Sequence, residues 1–196
     1  MQTEIEAKFL DVDHDELRRK LASLGAELVL PERQMRRKNF DYPDGRLEKV
    51  GGWVRIRDEG DKVTMSYKQL NDRTLHGTKE VGIIVDDFDR SCQLVKAIGL
   101  EQNSYQETRR ESWRLDGADI ELDTWPWVKP YIEIEAPSED RMKEVCGKLG
   151  LDLKDAVHGS VEVVYLAEYD VTEEEVDGWP EITFTKVPGW LETKRK

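Results

Sequence analysis

Glu4-Ile5-Glu6-Ala7-Lys8-Phe9 alternates charged and apolar side chains, and the architecture turns on how that alternation is understood. Successive side chains of a β-strand point to opposite faces, so Glu4, Glu6 and Lys8 share one face and Ile5, Ala7 and Phe9 the other. Taken alone, a solvated strand face accounts for this order. Its weight comes from recurrence. After Gly51-Gly52, the stretch Trp53-Val54-Arg55-Ile56-Arg57 repeats the device with Arg55 and Arg57, and Val63 to Lys68 sets Thr64, Ser66 and Lys68 against Val63, Met65 and Tyr67. Ile120-Glu121-Leu122-Asp123 and Ile132-Glu133-Ile134-Glu135 flank a Trp125-Pro126-Trp127 turn and present their carboxylates from one hairpin.

Further strands are expected at Ala26 to Asp41, as one long strand or a bent pair with the basic centre Arg33 to Lys38, at Thr78 to Val85 with Glu80, and at Gln106 to Leu115. The last contains Arg109 and Arg110, only one of which a strand can aim inward. Helices are expected where apolar residues recur at helical spacing: after an Asp13-to-Glu16 capping box, from Phe88 to Ile98, from an N-cap at Ser138 to Leu149, and from Val161 to Tyr169. Trp179 to Lys196 carries no clear pattern. The Glu173-Glu174-Glu175 run and the terminal Lys194-Arg195-Lys196 are taken as solvated. The chain reads as one domain over residues 1–170, with residues 171–196 as its C-terminal extension.

Composition narrows the function classes. A net charge of −12 argues against nucleic-acid binding, which depends on an excess of Lys and Arg. No apolar run approaches the roughly 20 residues that span a bilayer, and no export signal is seen, so a cytoplasmic protein without a membrane partner is expected, as a monomer or homodimer. Cys92 and Cys146 lack metal-ligand spacing and read as free thiols, while His14, His76 and His158 are scattered. Any catalysis therefore falls to carboxylates, Lys and Arg.

About eight strands, mostly joined as hairpins, imply an α+β fold with a closed eight-stranded antiparallel β-barrel and helices packed outside. The apolar faces, including Phe9, Ile56, Ile120, Leu122, Ile132 and Ile134, then lie under the helices. The charged faces line an interior wide enough for a small ligand. That interior would hold Glu4, Glu6, Glu80, Glu121, Asp123, Glu133 and Glu135 against Lys8, Arg55, Arg57, Lys68, Arg110 and one base between Arg36 and Lys38. Burying such charge is tolerable only if it is paired, hydrated or completed by ligands of both signs. Carboxylate clusters suit hard divalent cations, and arginine forks suit phosphate oxygens, so a polyphosphate with divalent cations is the natural complement.

The ordered set Glu4-x-Glu6-x-Lys8, Arg55-x-Arg57, Lys68, Arg110, Glu121-x-Asp123 and Glu133-x-Glu135 resembles the CYTH superfamily, the triphosphate tunnel metalloenzymes, over roughly Met1 to Tyr169. The segment Asn39 to Asp44 is similar to its second-strand motif, whereas Asn39, Gly82 and Thr108 depart from residues common at their positions. The resemblance implies that Lys8, Arg55, Arg57, Lys68 and Arg110, with Arg37 as a further possibility, bind a triphosphate. It implies that Glu4, Glu6, Glu121, Asp123, Glu133 and Glu135 hold Mg2+ or Mn2+ directly or through a second layer. Glu80 matches a recurrent acidic position. Lys8 and Glu6 are the residues to which it assigns catalysis, with Lys8 positioning or deprotonating an attacking water. Metal-dependent hydrolysis of inorganic tripolyphosphate or an organic triphosphate is the activity implied. A class IV adenylyl cyclase making cyclic AMP and pyrophosphate is the alternative, and a non-catalytic polyphosphate or nucleotide sensor a further one.

Overall fold

The alternating N-terminal stretch is a strand broken in the middle, and the break changes its neighbour. In the computed structural model, which describes all 196 residues, β1 (Gln2–Thr3) and β2 (Glu6–Leu10) are separated by Glu4 and Ile5. They are followed by α1 (His14–Ser23), β3 (Glu27–Asp41), β4 (Gly52–Asp58), β5 (Val63–Leu70), β6 (Thr78–Val85) and α2 (Phe88–Ala97). Next come β7 (Glu101–Leu115), β8 (Ala118–Thr124), β9 (Tyr131–Glu135) and α3 (Glu139–Leu149). The chain ends with α4 (Glu162–Glu168), α5 (Glu173–Asp177), β10 (Glu181–Ile182) and α6 (Gly189–Glu192).

The strands pair in the order β1-β6-β5-β4-β3-β7-β8-β9-β2, so the two ends of the sheet are consecutive in the chain. Neighbours in this path are antiparallel. β1 pairs Gln2 with Glu80 of β6, and β2 pairs Glu6 with Glu135 of β9. Past the break, the free edge of β2 is met by Leu75 O, which accepts from Glu6 N, and by Val157, which exchanges hydrogen bonds with Lys8. The expected closed barrel is thus a strongly curled sheet that is not fully closed. No ladder joins β2 to β6, because one interrupted strand serves the two edges in turn. Counting β1 and β2 as one stave, the wall has the eight staves expected, and β10 adds a short parallel pairing on β7.

Three apolar clusters support the sheet, the first two on its outer face and the third against its inner face through Trp125 and Tyr131. The first packs Leu17 and Leu21 of α1 and Met142 and Val145 of α3 against Phe9, Ile120, Leu122, Ile132 and Ile134. Asp13 caps α1 by accepting from Asp15 N and Glu16 N, without the return bond of a full capping box. A second joins α2, through Phe88, Cys92 and Val95, to Phe40 and Ile56. Cys92 and Cys146 are both free and buried. No helix is long and apolar enough to cross a membrane.

The third cluster corrects the reading of the C-terminal stretch. Val176, Trp179, Ile182 and Leu191 are buried with Trp125, Tyr131, Tyr165 and Tyr169, and Trp179 meets Trp127, Tyr165 and Trp190 edge to face. The charged runs expected to be merely solvated are engaged as well. Glu173 pairs with Arg73 at 2.6 Å, Glu175 completes a capping box with Thr172 and pairs with Lys194, and Arg195 pairs with Glu168. The pairs to Arg73, Lys194 and Glu168 join residues distant in sequence, which local pattern could not reveal, whereas Thr172 to Glu175 has the local spacing of a capping box. Because Trp179 ties this cluster together, Trp179→Ala should cost about 3 kcal/mol, read as a lower urea midpoint at unchanged m-value. A midpoint within error of wild type would show that the C-terminal stretch carries no structural weight.

Candidate active site

Register alone aligns the charges. Between β4, β5 and β6 the inward rows are Trp53/Lys68/Glu80 and Arg55/Ser66/Gly82, with Arg57 opposite Thr64. Between β7, β8, β9 and β2, Arg110 faces Asp123, Glu121 faces Glu133, and Glu133 faces Lys8. These faces enclose a cavity of about 470 Å3. Lys8, Arg37, Arg55, Arg57, Lys68 and Arg110 line it, and so do the carboxylates of Glu4, Glu6, Glu80, Glu133 and Glu135. At its rim, Gly51 has φ +72° and an added Cβ would lie 2.2 Å from Leu70 O, so only glycine lets this turn approach β5.

Most of the cations are held by carboxylates. Lys68 Nζ lies 2.9 Å from Glu4 and 2.8 Å from Glu80. Lys8 Nζ lies 3.4 Å from Glu6 and 3.5 Å from Glu133, and Thr78 Oγ1 donates to Glu6 at 3.0 Å. Arg55 reaches Glu80 at 3.3 Å. Arg110 donates through Nε and Nη2 to the two oxygens of Asp123 at 2.7 and 2.6 Å, and through Nη2 to Glu133 at 3.2 Å. Arg37 is the exception. It makes no carboxylate pair, stacks 4.6 Å over the Trp125 ring and donates through Nη2 to Thr108 Oγ1 at 3.4 Å.

Electrostatics follow from this packing. Burial raises Glu4 and Glu6 to about 7, aided by the Glu80 hydrogen bond in one case and the Glu133 charge in the other, against the pull of Lys68 and Lys8. Burial would raise Glu80 and Glu133 too, yet Arg55 and Lys68 hold Glu80 at about 2, and Lys8 and Arg110 hold Glu133 well below the carboxylate range. Within each neighbouring pair, one carboxyl binds a proton more tightly than the other. Lys8 stays protonated: burial pulls its pKa down, but Glu133 and Glu6 outweigh it and raise it. Burial, with repulsion from Arg57 and Arg110, lowers Arg55 to about 10, and burial with the same neighbours and Arg55 lowers Arg37 well below its usual value.

The cluster of arginines fits an anion. Arg37 Nε and Arg55 Nε are buried without a hydrogen-bond partner, and a donor left in that state costs about 1–3 kcal/mol. A phosphate in the cavity would supply the opposite charge that this cluster lacks. The carboxylates have the hard oxygen donors of a divalent-cation site, although no three of them converge on one point in this arrangement. Glu4 with Glu80, and Glu6 with Glu133, are the neighbouring pairs in which a cation could replace the shared proton.

Arg110 faces inward, whereas Arg109 lies outside over the Phe184 ring at 4.6 Å. Glu121 and Asp123 share the inward face but are absent from the cavity wall: Asp123 grips Arg110, and Glu121 accepts from Ser112 Oγ at 2.6 Å. Sequence reasoning missed Glu59, Arg33 and Glu162. Glu59 sits in a turn and Glu162 on a helix, where alternation carries no information. Glu162 lines the rim beside Ser160 and accepts from Arg73 at 3.2 Å.

The chain belongs to the CYTH domain family, whose model matches residues 2–159. Among curated proteins no sequence matches it. A solved structure of the PH1012 protein from Pyrococcus horikoshii OT3 is 24% identical, with a TM-score of 0.65 over 78% of this chain and 93% of that one. A Vibrio parahaemolyticus protein carrying the provisional name adenylate cyclase is 16% identical, with a TM-score of 0.72 over 83% of this chain and 97% of that one. The Hippeastrum protein HpAC1, provisionally an adenylyl cyclase and described as having a dominant triphosphatase activity, is 17% identical, with a TM-score of 0.58 over 89% and 94%. These likenesses establish a shared fold.

The raised Glu4 and Glu6 carboxyls generate a test of the cation site. Near pH 6 they carry protons that a divalent cation must displace, and near pH 9 they do not, so apparent affinity should rise with pH and level off above about 7. Calorimetric titration in buffers of differing ionisation enthalpy should show proton release at the lower pH alone. Equal release at both would exclude Glu4 and Glu6 as ligands.

Proposed function

We propose that the protein is a divalent-metal-dependent triphosphatase that cleaves the terminal phosphoryl group of a triphosphate held in the charged cavity. The observation that carries this reading is the crowding of Arg37, Arg55, Arg57 and Arg110 around one space, with Arg37 free of any carboxylate. Mutual repulsion among these arginines is relieved by a polyanion. Glu4, Glu6, Glu80, Glu133 and Glu135 would hold Mg2+ or Mn2+, which when bound neutralises charge on the phosphoryl oxygens.

The chain's own residues then divide the work. Arg37, Arg55, Arg57 and Arg110 fix the phosphate oxygens and stabilise the charge that grows on them as the phosphorus is attacked. Lys68 adds a point charge. Lys8, protonated and buried, orients the attacking water and does not serve as its base. Glu6 gives up its near-neutral proton affinity once it holds a cation, so the water's proton passes to a phosphate oxygen as the new P–O bond forms. The bond to the bridging oxygen breaks, leaving orthophosphate and the diphosphate. A small triphosphate is the only partner this scheme requires, and the protein's charge of −12 disfavours nucleic acid. The buried free thiols of Cys92 and Cys146 support a cytoplasmic setting.

The cyclase alternative draws on Trp53, an indole in the cavity wall on which an adenine could stack. In that reaction the ribose 3′-hydroxyl attacks the α-phosphorus of ATP and pyrophosphate leaves. Incubation with tripolyphosphate, thiamine triphosphate or ATP, with Mg2+ or Mn2+, separates the readings when orthophosphate and cyclic AMP are assayed side by side. Orthophosphate is expected. Cyclic AMP without orthophosphate would make the protein a cyclase, and binding without turnover a sensor. Glu6→Gln should lower metal-dependent turnover by about 100-fold, and Arg57→Ala should weaken triphosphate binding by about tenfold. Wild-type behaviour in both would place the site elsewhere.

A further inference from the structure

Arg57 is gripped from behind. Its partner Glu59 lies just beyond β4, in the turn to β5, is 5% exposed and takes no part in the cavity wall. Glu59 Oε1 accepts from Arg57 Nε at 3.0 Å, from Arg57 Nη2 at 2.7 Å and from Thr64 Oγ1 at 2.9 Å. The main chain of Glu59 is fixed as well. Its carbonyl accepts from Arg33 Nε at 3.1 Å, and Arg33 Nη1 reaches Arg110 O and Ser112 Oγ, each at 3.1 Å. Both ends of the glutamate are thereby tied to the barrel wall. Burial would raise its pKa, yet Arg57 and Thr64 hold it at about 2, so it is ionised throughout the neutral range.

This grip occupies the Nε and Nη2 edge of the guanidinium and leaves Nη1 for a ligand. It also works against the repulsion of Arg55, whose own pKa is lowered in part by Arg57. An ungripped Arg57 would swing away from Arg55 toward water. We propose that Glu59 is a positioning residue, holding the Arg57 guanidinium in the cavity wall where it can meet a phosphate oxygen. The proposal rests on the triphosphate reading and adds to it a residue that does not touch the ligand.

Removing Glu59 has two opposed consequences: Arg57 loses its anchor, and a negative charge near the anion disappears. Two substitutions separate them. Glu59→Gln keeps an oxygen for Arg57 and Thr64 but removes the charge, whereas Glu59→Ala removes both. Tripolyphosphate binding to the full chain, measured by calorimetry with a chelator present so that nothing is turned over, should weaken about tenfold in Glu59→Ala and change less than about threefold in Glu59→Gln. In an Arg57→Ala background, Glu59→Ala should no longer weaken binding, because the anchored group is gone and only the loss of the negative charge, which favours the anion, remains. Thr64→Val loosens the glutamate without touching its charge and should weaken binding by about threefold; with Glu59→Gln, it carries the test if Glu59→Ala does not fold.

Equal tightening in Glu59→Ala and Glu59→Gln would show that the carboxylate merely screens the site. A lower melting temperature with unchanged affinity would show a purely structural role. Either result overturns the proposal. If tripolyphosphate binds and Arg57→Ala weakens it while Glu59→Ala does not, only the role of Glu59 falls. If the wild-type chain binds no tripolyphosphate either with the chelator or with Mg2+ or Mn2+, the triphosphate reading falls and this inference with it.

Discussion

Taking charge out of water is the constraint on which this structure is built. A buried ion loses several kcal/mol of hydration, and attraction to a partner of opposite sign roughly restores it when geometry is good. The interior follows that rule through Lys8 with Glu6 and Glu133, Lys68 with Glu4 and Glu80, Arg57 with Glu59, and Arg110 with Asp123. Arg37 breaks it, having a ring face and a threonine hydroxyl in place of a carboxylate. Charge of both signs has been assembled at a cost to stability, and the residual mismatch is concentrated on the arginines. A polyanion is the complement that removes it.

The broken N-terminal strand explains how both kinds of charge reach one space. β1 brings the chain to β6, so that Glu4 meets Lys68, whose other partner is Glu80. β2 then crosses to β9, where Lys8 meets Glu133. Unbroken pairing with either edge would have left one half of the cluster without its partners. The incomplete closure of the barrel and the joining of the two halves of the charge network therefore have one origin. The C-terminal stretch buries Trp179 and Ile182 with Tyr131 and Tyr165, and its Val176 joins Trp125 and Tyr131 in the cavity wall.

Strand-based features were legible in the sequence because alternation has one meaning in a sheet with a buried face. Lys8, Arg55, Arg57 and Lys68 could be assigned inward from period alone. The choice between Arg109 and Arg110 could not, since it depends on the strand opposite: Arg110 is cross-strand from Asp123. Period also placed Glu121 and Asp123 on the inward face without showing that Arg110 and Ser112 engage them and that neither carboxylate reaches the cavity wall. Glu59 and Glu162 gave no signal, because a turn and a helix N-terminus have no strand period. Val176, Trp179, Ile182 and Leu191 were unreadable for a related reason: they come from short elements with irregular spacing, and their burial depends on residues far away in the chain.

If the interior is completed by a triphosphate, that ligand must stabilise the folded chain, since the unfolded chain offers no such cluster. The direct measurement is thermal melting at fixed ionic strength with tripolyphosphate or with orthophosphate, in wild type and in Arg37→Ala. The account predicts a melting temperature that climbs with tripolyphosphate concentration, little response to orthophosphate, and a much smaller rise in Arg37→Ala. A melting temperature indifferent to tripolyphosphate, or raised equally by orthophosphate, would contradict it.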